Sequence, residues 1–187
     1  TSRIVVTGLA RTFQSTSTYS AVSVRENIYR GLLSRIKGAV VGKLVGRTDN
    51  LIDESQVDAE IERILSIVDM HQWRDIPADS LAYGLQKKLG IAIALASRPT
   101  MLMLDEPAAG LNHEECNEMK KLLLKLQQDF DMTILLVEHH MAIVMDLCHR
   151  IVVLVQGEKI AEGTPAEISS NPLVIEAYLG APEYAHA

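Results

Sequence analysis

Two short stretches of this chain end in side chains that can act on a charged substrate. "MLMLDE" (residues 101–106) closes an apolar run with Asp105 and Glu106, and "TILLVEHH" (133–140) closes another with Glu138, His139 and His140. Neighbouring carboxylates suit two jobs in phosphoryl transfer: one holds Mg²⁺ through its water shell, the other takes a proton from the attacking water. An imidazole can then meet the terminal phosphate. A third stretch, "GAVVGKLVG" (38–46), looks like a phosphate cradle but fails on spacing. Such a loop reads G-x-x-x-x-G-K-[ST], whereas three residues separate Gly38 from Gly42, and Leu44 stands where a hydroxyl must reach Mg²⁺. Glu138-His139-His140 also offers metal-ligand types, but successive side chains at a helix start diverge by about 100°, which keeps two adjacent imidazoles off one ion. His71, His113, His149 and His186 have no partner pattern.

The elements that must position these groups follow from periodicity. "MLML" (101–104), "TILLV" (133–137) and "IVVLV" (151–155) have the pattern of strands buried on both faces. One long and one short helical segment separate them, which implies an α/β layer with a parallel sheet. Ligands of such sheets bind beyond the carboxyl ends of the strands, so two strand ends aim Asp105, Glu106, Glu138 and His139 at one place. The long helix is predicted to start at Asn112, with Glu115 completing the cap and Met119, Leu122, Leu123 and Leu126 inward.

Upstream, residues 22–44 are weakly helical and 47–54 form a loop. Ser55 and Asp58 form a capping box for a helix with Val57, Ile61, Ile64, Leu65 and Val68 on one stripe. A further helix over Leu85–Ser97 packs Leu89, Ala92, Ile93 and Ala96 inward until Arg98-Pro99 stops it. Downstream, "VQGEKIAEG" reads as a hairpin around Gln156-Gly157. "TPAE" (164–167) and Asn171-Pro172 each start a helix.

Composition sets the class. With 187 residues, 48% hydrophobic and 22% charged, the chain matches one large soluble domain or two lobes sharing a core. The longest purely apolar run, Ile91–Ala96, is far shorter than the roughly 20 residues of a membrane helix. Cys116 and Cys148 both fall in helical stretches, which favours reduced, packed thiols over a disulfide or metal site. The net charge of −6 is uneven: residues 1–47 hold eight Lys/Arg against one acid, for +7, and the remainder carries −13. A basic segment can face phosphates or a membrane surface, but without interleaved aromatics it does not predict nucleic-acid binding.

Taken together, five motifs in order resemble an ABC-type ATPase, in the version carried by the cytoplasmic ATPase subunits of branched-chain amino-acid importers. "LAYGLQKKLGIAIALASRPTMLMLDEPAAGLN" (81–112) is similar to that group's signature motif, Walker B strand and D-loop. "ARTFQ" (10–14) resembles its Q-loop, "LLVEHHMAIVMDLCHRIVVLVQGEKIAEGTPAEI" (135–168) its switch-histidine region, and "NPLVIEAYLG" (171–180) its carboxyl end.

The resemblance implies roles residue by residue. Gln14 reaches the Mg²⁺ or attacking-water region and couples it to a transmembrane partner. Ala82, Tyr83 and Gly84 form the signature turn, at the amino end of the helix from Leu85, where free N–H groups and the helix dipole attract a γ-phosphate. Asp105 serves Mg²⁺, Glu106 is the general base, Ala109 to Asn112 form the D-loop, and His139 is the switch histidine. The implied fold is α/β: a partial P-loop NTPase (RecA-like) core with parallel strands plus an inserted helical subdomain. Its divisions are 1–14 for the end of the amino-terminal core segment with the Q-loop, 15–84 for the helical subdomain ending in the signature motif, and 85–187 for the remaining core. ATP and Mg²⁺ are the implied substrate and cofactor. Transmembrane permease subunits and a second ATPase subunit are the implied partners, at the inner face of the cell membrane.

Departures are as informative. The family usually has Gln where Leu85 stands, Asp where His140 stands and Pro where His113 stands. Its Walker A loop and adenine-stacking aromatic lie well upstream of the Q-loop, and these 187 residues contain neither. The expectation is therefore the carboxyl-terminal portion of such a subunit, binding ATP poorly alone. Its rival is a non-hydrolysing docking or regulatory module that pairs with an intact subunit. DNA-repair ATPases of the same superfamily carry long heptad coiled coils between Q-loop and signature, which the broken periodicity here does not match.

Overall fold

In the computed structural model, which describes residues 8–12, 18–33, 35–36, 52–130 and 132–179, the chain forms two compact units, Thr1–Val137 and Glu138–Ala187. Gln14 and the glycine-rich stretch 38–46 lie outside the described residues.

The first unit runs β1 (Leu9–Arg11), α1 (Val24–Leu32), α2 (Val57–Val68), α3 (Tyr83–Ala96), β2 (Met101–Asp105), α4 (His113–Phe130) and β3 (Thr133–Val137). The strands lie in the order β1-β2-β3, all parallel, with Leu9 opposite Met101 and Met101 opposite Thr133. The helices α1, α2 and α3 pack on one another through Val24, Ile28 and Leu32, through Ile61, Ile64, Leu65 and Val68, and through Leu89, Ala92 and Ala96, all buried. Gly31 lets α1 approach α3 closely, since a Cβ there would stand 2.7 Å from the Ile93 carbonyl oxygen and 2.9 Å from the Ala96 Cβ.

Polar side chains fix this helical layer where water is excluded. Ser23 Oγ caps α1 by accepting from the Glu26 N–H at 3.2 Å. The fully buried Asn27 amide donates to the carbonyls of Tyr19, Val22 and Ser23 and accepts from the Tyr19 N–H, which satisfies the incoming turn. The buried Arg35 guanidinium donates to Glu60 Oε1 at 2.7 Å and to the Ala96 carbonyl at 3.1 Å, and Arg63 adds two bonds to the same carboxylate.

The second unit holds α5 (Met141–Leu147), β4 (Ile151–Val155), β5 (Glu158–Gly163), α6 (Pro165–Ser169) and α7 (Pro172–Leu179). Its core gathers Val144, Ile151, Val153, Ala161, Ile168 and Val174. Gln156 and Gly157 both have positive φ, 49° and 85°, the signature of a two-residue type I′ turn, and they join β4 to β5 as the antiparallel hairpin expected. Thr164 and Glu167 close the expected capping box, and Asn171 Oδ1 accepts from the Leu173 N–H at the start of α7.

Several expectations need correction. "IVVLV" does not extend the parallel sheet among the described residues, because the tight Gln156-Gly157 turn pairs it locally with β5. "TILLV" is not buried on both faces: Leu135 and Val137 are 47% and 55% exposed, since the period of two turns them to a face that nothing in this unit covers among the described residues. At the entry to α2 it is Asp53 and Gln56 that pair, the Gln56 side chain accepting from the Asp53 N–H at 3.0 Å ahead of a short 3₁₀ turn, instead of Ser55 and Asp58. Helix α3 starts at Tyr83, two residues before Leu85. Cys148 lies just past α5 as its C-cap residue, and burial pushes its thiol pKa up.

Candidate functional site

At the carboxyl end of β2 the chain presents Asp105 and then Glu106, both half-buried. Asp105 sits opposite Val137 in register. The Glu106 N–H donates to the Val137 carbonyl at 2.9 Å, so pairing with β3 continues one residue beyond the strand. Glu106 adopts φ 46°, a left-handed conformation that costs a non-glycine residue roughly 1–2 kcal/mol and marks a backbone held by its surroundings. Part of that hold is Lys87, whose buried ammonium donates to the Glu106 carbonyl oxygen at 3.0 Å. The Asp105 carboxylate accepts from the Arg11 guanidinium at 3.1 Å, across from β1.

A second group of predicted residues meets the first turn of α3. Ala82 is its N-cap and Tyr83 and Gly84 are its first residues, with no side chain capping the free amides. The Tyr83 ring lies against Gly110, whose φ of 77° turns the loop after β2: a Cβ at Gly110 would stand 3.0 Å from Tyr83 Cε1. A Cβ at Gly84 would meet Glu115 Oε1 at 2.7 Å. Glu115 is itself held by Asn112: the Asn112 N–H donates to Glu115 Oε2 and the Glu115 N–H donates to Asn112 Oδ1, each at 3.0 Å. The stretch 82–84 and the stretch 109–112 of one chain therefore touch.

His139 belongs to the second unit. It precedes α5, as does His140, the N-cap residue of that helix. Glu138 Oε2 accepts from the N–H groups of His139 at 3.1 Å and His140 at 3.4 Å, and lies 3.3 Å from His140 Nδ1.

Residues 2–109 match the family described as ABC transporter, and residues 158–184 match the family described as branched-chain amino acid ATP-binding cassette transporter. The chain belongs to the ABC transporter ATP-binding family. It is 36% identical over 178 residues to the high-affinity branched-chain amino acid transport ATP-binding protein BraF of Pseudomonas aeruginosa, covering 95% of this chain and 70% of the relative. It is 37% identical over 173 residues to LivG of Escherichia coli, which carries the same description, covering 92% of this chain and 68% of the relative. Among solved structures, the ADP conformation of an ABC transporter ATP-binding cassette superposes with a TM-score of 0.75 at 27% identity, covering 96% of this chain and 71% of that one. A nucleotide-free ATP-binding cassette gives 0.74 at 26% identity, covering 95% and 70%. These likenesses show the α/β fold of ABC ATPase domains, and the family is one of ATP-binding, ATP-hydrolysing subunits.

Within this ABC cassette, three residues beside the predicted set were missed. Lys87 and Lys88 are adjacent and identical in type, and only the phase of α3 buries the first. Arg11 carries no signal apart from the register of β1 beside β2. Glu115 was legible as a cap residue, but its approach to Gly84 depends on where α3 begins.

Proposed function

We propose that the chain carries the catalytic half-site of an importer ATPase for branched-chain or related amino acids. The observation that carries this reading is the Asp105-Glu106 pair at a parallel strand end, with Glu106 held in a left-handed backbone by Lys87. Glu106 takes the proton from the attacking water, His139 meets the γ-phosphate, and Ala82, Tyr83 and Gly84 offer amides to the nucleotide of a second ATPase subunit across Asn112 of the D-loop. Gln14 links the site to a transmembrane permease. The oxygen donors of Asp105 and Gln14 are of the hard type that Mg²⁺ takes, and when bound the ion neutralises charge on the phosphates. The divisions 1–14, 15–84 and 85–187 and a place on the inner membrane face, held by the permease, belong to this reading.

The reading is supported by relatives described as branched-chain amino acid transport ATP-binding proteins. The test is Glu106→Gln in a chain extended at its amino end with a Walker A segment. Turnover falls about 10²–10⁴-fold while ATP affinity stays, as removal of a general base requires. Unchanged turnover overturns the role of Glu106.

A second reading rests on the absence of G-x-x-x-x-G-K-[ST] from these 187 residues: alone they bind ATP poorly and act as a docking module for an intact subunit. Heterodimers that form with a full-length subunit, and lose turnover only when that partner carries the Glu→Gln change, support it. Tight Mg²⁺-dependent ATP binding by these residues alone overturns it.

A further inference from the structure

The amino end of α3 has no capping side chain, because its N-cap residue is Ala82, and the amides of its first turn gain no acceptor there. The place of that turn is set from the segment after β2. Gly84 is buried, and a Cβ on it would stand 2.7 Å from Glu115 Oε1, 3.0 Å from Cδ and 3.3 Å from Cγ. The Glu115 side chain therefore lies along the Gly84 backbone, in space that only a missing Cβ leaves open. One turn further on, Lys88 Nζ stands 3.6 Å from Glu118 Oε2, so α3 meets α4 at a second, successive point.

Glu115 suits that place because both its ends are held. Its Oε2 accepts from the Asn112 N–H and its own N–H donates to Asn112 Oδ1, each at 3.0 Å. These reciprocal bonds fix a side chain that would otherwise sample many rotamers. The last residue of the predicted D-loop thus sets Glu115, and Glu115 sets Gly84. The carboxylate also falls within the first turn of α3, where the partial positive charge of the helix end favours it.

We propose that Glu115 is a positioning residue for the Ala82-Tyr83-Gly84 turn. It holds the amides of that turn in place for the nucleotide of a second ATPase subunit, given the reading under which the turn faces that nucleotide. Glu115 itself touches no reacting atom. Its effect falls on kcat, through the closed state in which the turn meets the phosphates, and leaves the KM for ATP in place.

The contact is tested in the 187-residue protein by thermal melts of a double-mutant cycle. Gly84→Ala lowers the Tm while Glu115 is present. In the Glu115→Ala background, where all three crowding atoms are gone, it raises the Tm through the better helix propensity of Ala. Equal changes in the two backgrounds overturn the proposal, whatever the activity of the protein. The role is tested in the assembled, Walker A-containing ATPase. Glu115→Ala lowers kcat about tenfold or more with the KM for ATP unchanged, since an ångström of misplacement costs up to about 10²-fold. Glu115→Gln, which keeps the acceptor for the Asn112 N–H and the bulk against Gly84, recovers most of that loss. Gly84→Asp, which blocks the turn itself, reports on the underlying reading. Loss of kcat with Gly84→Asp but not with Glu115→Ala overturns the positioning role and leaves that reading standing, whereas no loss with either overturns both. A Glu115→Gln variant as slow as Glu115→Ala also overturns the positioning role, because charge and not place would then be at work.

Discussion

The ammonium of Lys87 in α3 donates to the main-chain carbonyl oxygen of Glu106 at 3.0 Å, 19 residues further along the chain. The same ammonium lies 5.3 Å from the centre of the Tyr83 ring, whose edge touches Gly110. One buried cation thus ties the helix that begins at Tyr83 to the backbone of the residue proposed as general base.

Lys87→Met removes that donor while keeping much of the buried stem. Hydrogen bonds made by charged groups contribute about 1.5–3 kcal/mol, so the urea midpoint of the variant falls by a corresponding amount. In an assembled, Walker A-containing ATPase, kcat falls and nucleotide affinity holds, because Glu106 loses its fixed backbone while the nucleotide contacts persist. Lys87→Arg, which keeps a donor, recovers part of both. A variant with wild-type midpoint and kcat refutes the positioning role.

Asn112→Ala removes the arm of the reciprocal cap in which the Glu115 N–H donates to Asn112 Oδ1 at the start of α4, and leaves the main-chain N–H of residue 112 to donate to the Glu115 carboxylate. Loss of an N-cap side chain costs about 1 kcal/mol, within a range of roughly 0.5–2. Denaturant unfolding should show the loss without a change in m-value. Asn112→Asp keeps the acceptor and retains most of the stability.

The legible parts of the fold are those whose chemistry is local. The Asn112–Glu115 pair, the Thr164–Glu167 box and the Gln156-Gly157 turn each lie within four residues of chain, so residue types alone specify them. The stripes of α2 and α4 were legible because each has one apolar face. Helix α3 was not bounded correctly because Ala82 offers no capping side chain, and its first turn is ordered by Glu115 and Gly110, which are distant in sequence. Strand burial was over-read for "TILLV" and "IVVLV" because an apolar run reports composition, and which of its faces is covered depends on neighbouring elements. The start of α5 was legible only approximately, because His140 precedes its first residue Met141 and offers no capping side chain.

Glu60 gives the first unit an acid-sensitive joint. Burial by itself raises the pKa of its carboxyl, but hydrogen bonds and charge from Arg63 and Arg35 outweigh it and hold the value at about 2, below the ordinary 4.5. A carboxyl depressed in the folded state contributes stability that is fully present above about pH 4.5 and is lost as pH falls toward 2. The difference of about 2.5 units corresponds to about 3 kcal/mol. Glu60→Gln leaves Arg35 buried without its charge partner and costs about 3–5 kcal/mol at neutral pH. It also flattens the stability profile between pH 4.5 and 2, which thermal melts across that range measure directly.

The β4–β5 hairpin offers a gain in stability. Gln156 occupies the first central position of a type I′ turn with φ 49°, where a long side chain pays a left-handed penalty that Asn largely avoids through its short polar side chain. Nothing stands within 4 Å of a Cβ at the neighbouring Gly157, so this turn is open and its energetics are set by backbone conformation. Gln156→Asn should therefore stabilise the protein by up to about 1 kcal/mol. Gly157→Ala, at φ 85°, should destabilise it by about 1–2 kcal/mol despite the free space around it. Calorimetry on the two single variants decides the matter through the opposite signs of their shifts. Equal signs would show that the turn is held by the pairing of Val155 with Glu158 and not by its own two dihedral pairs.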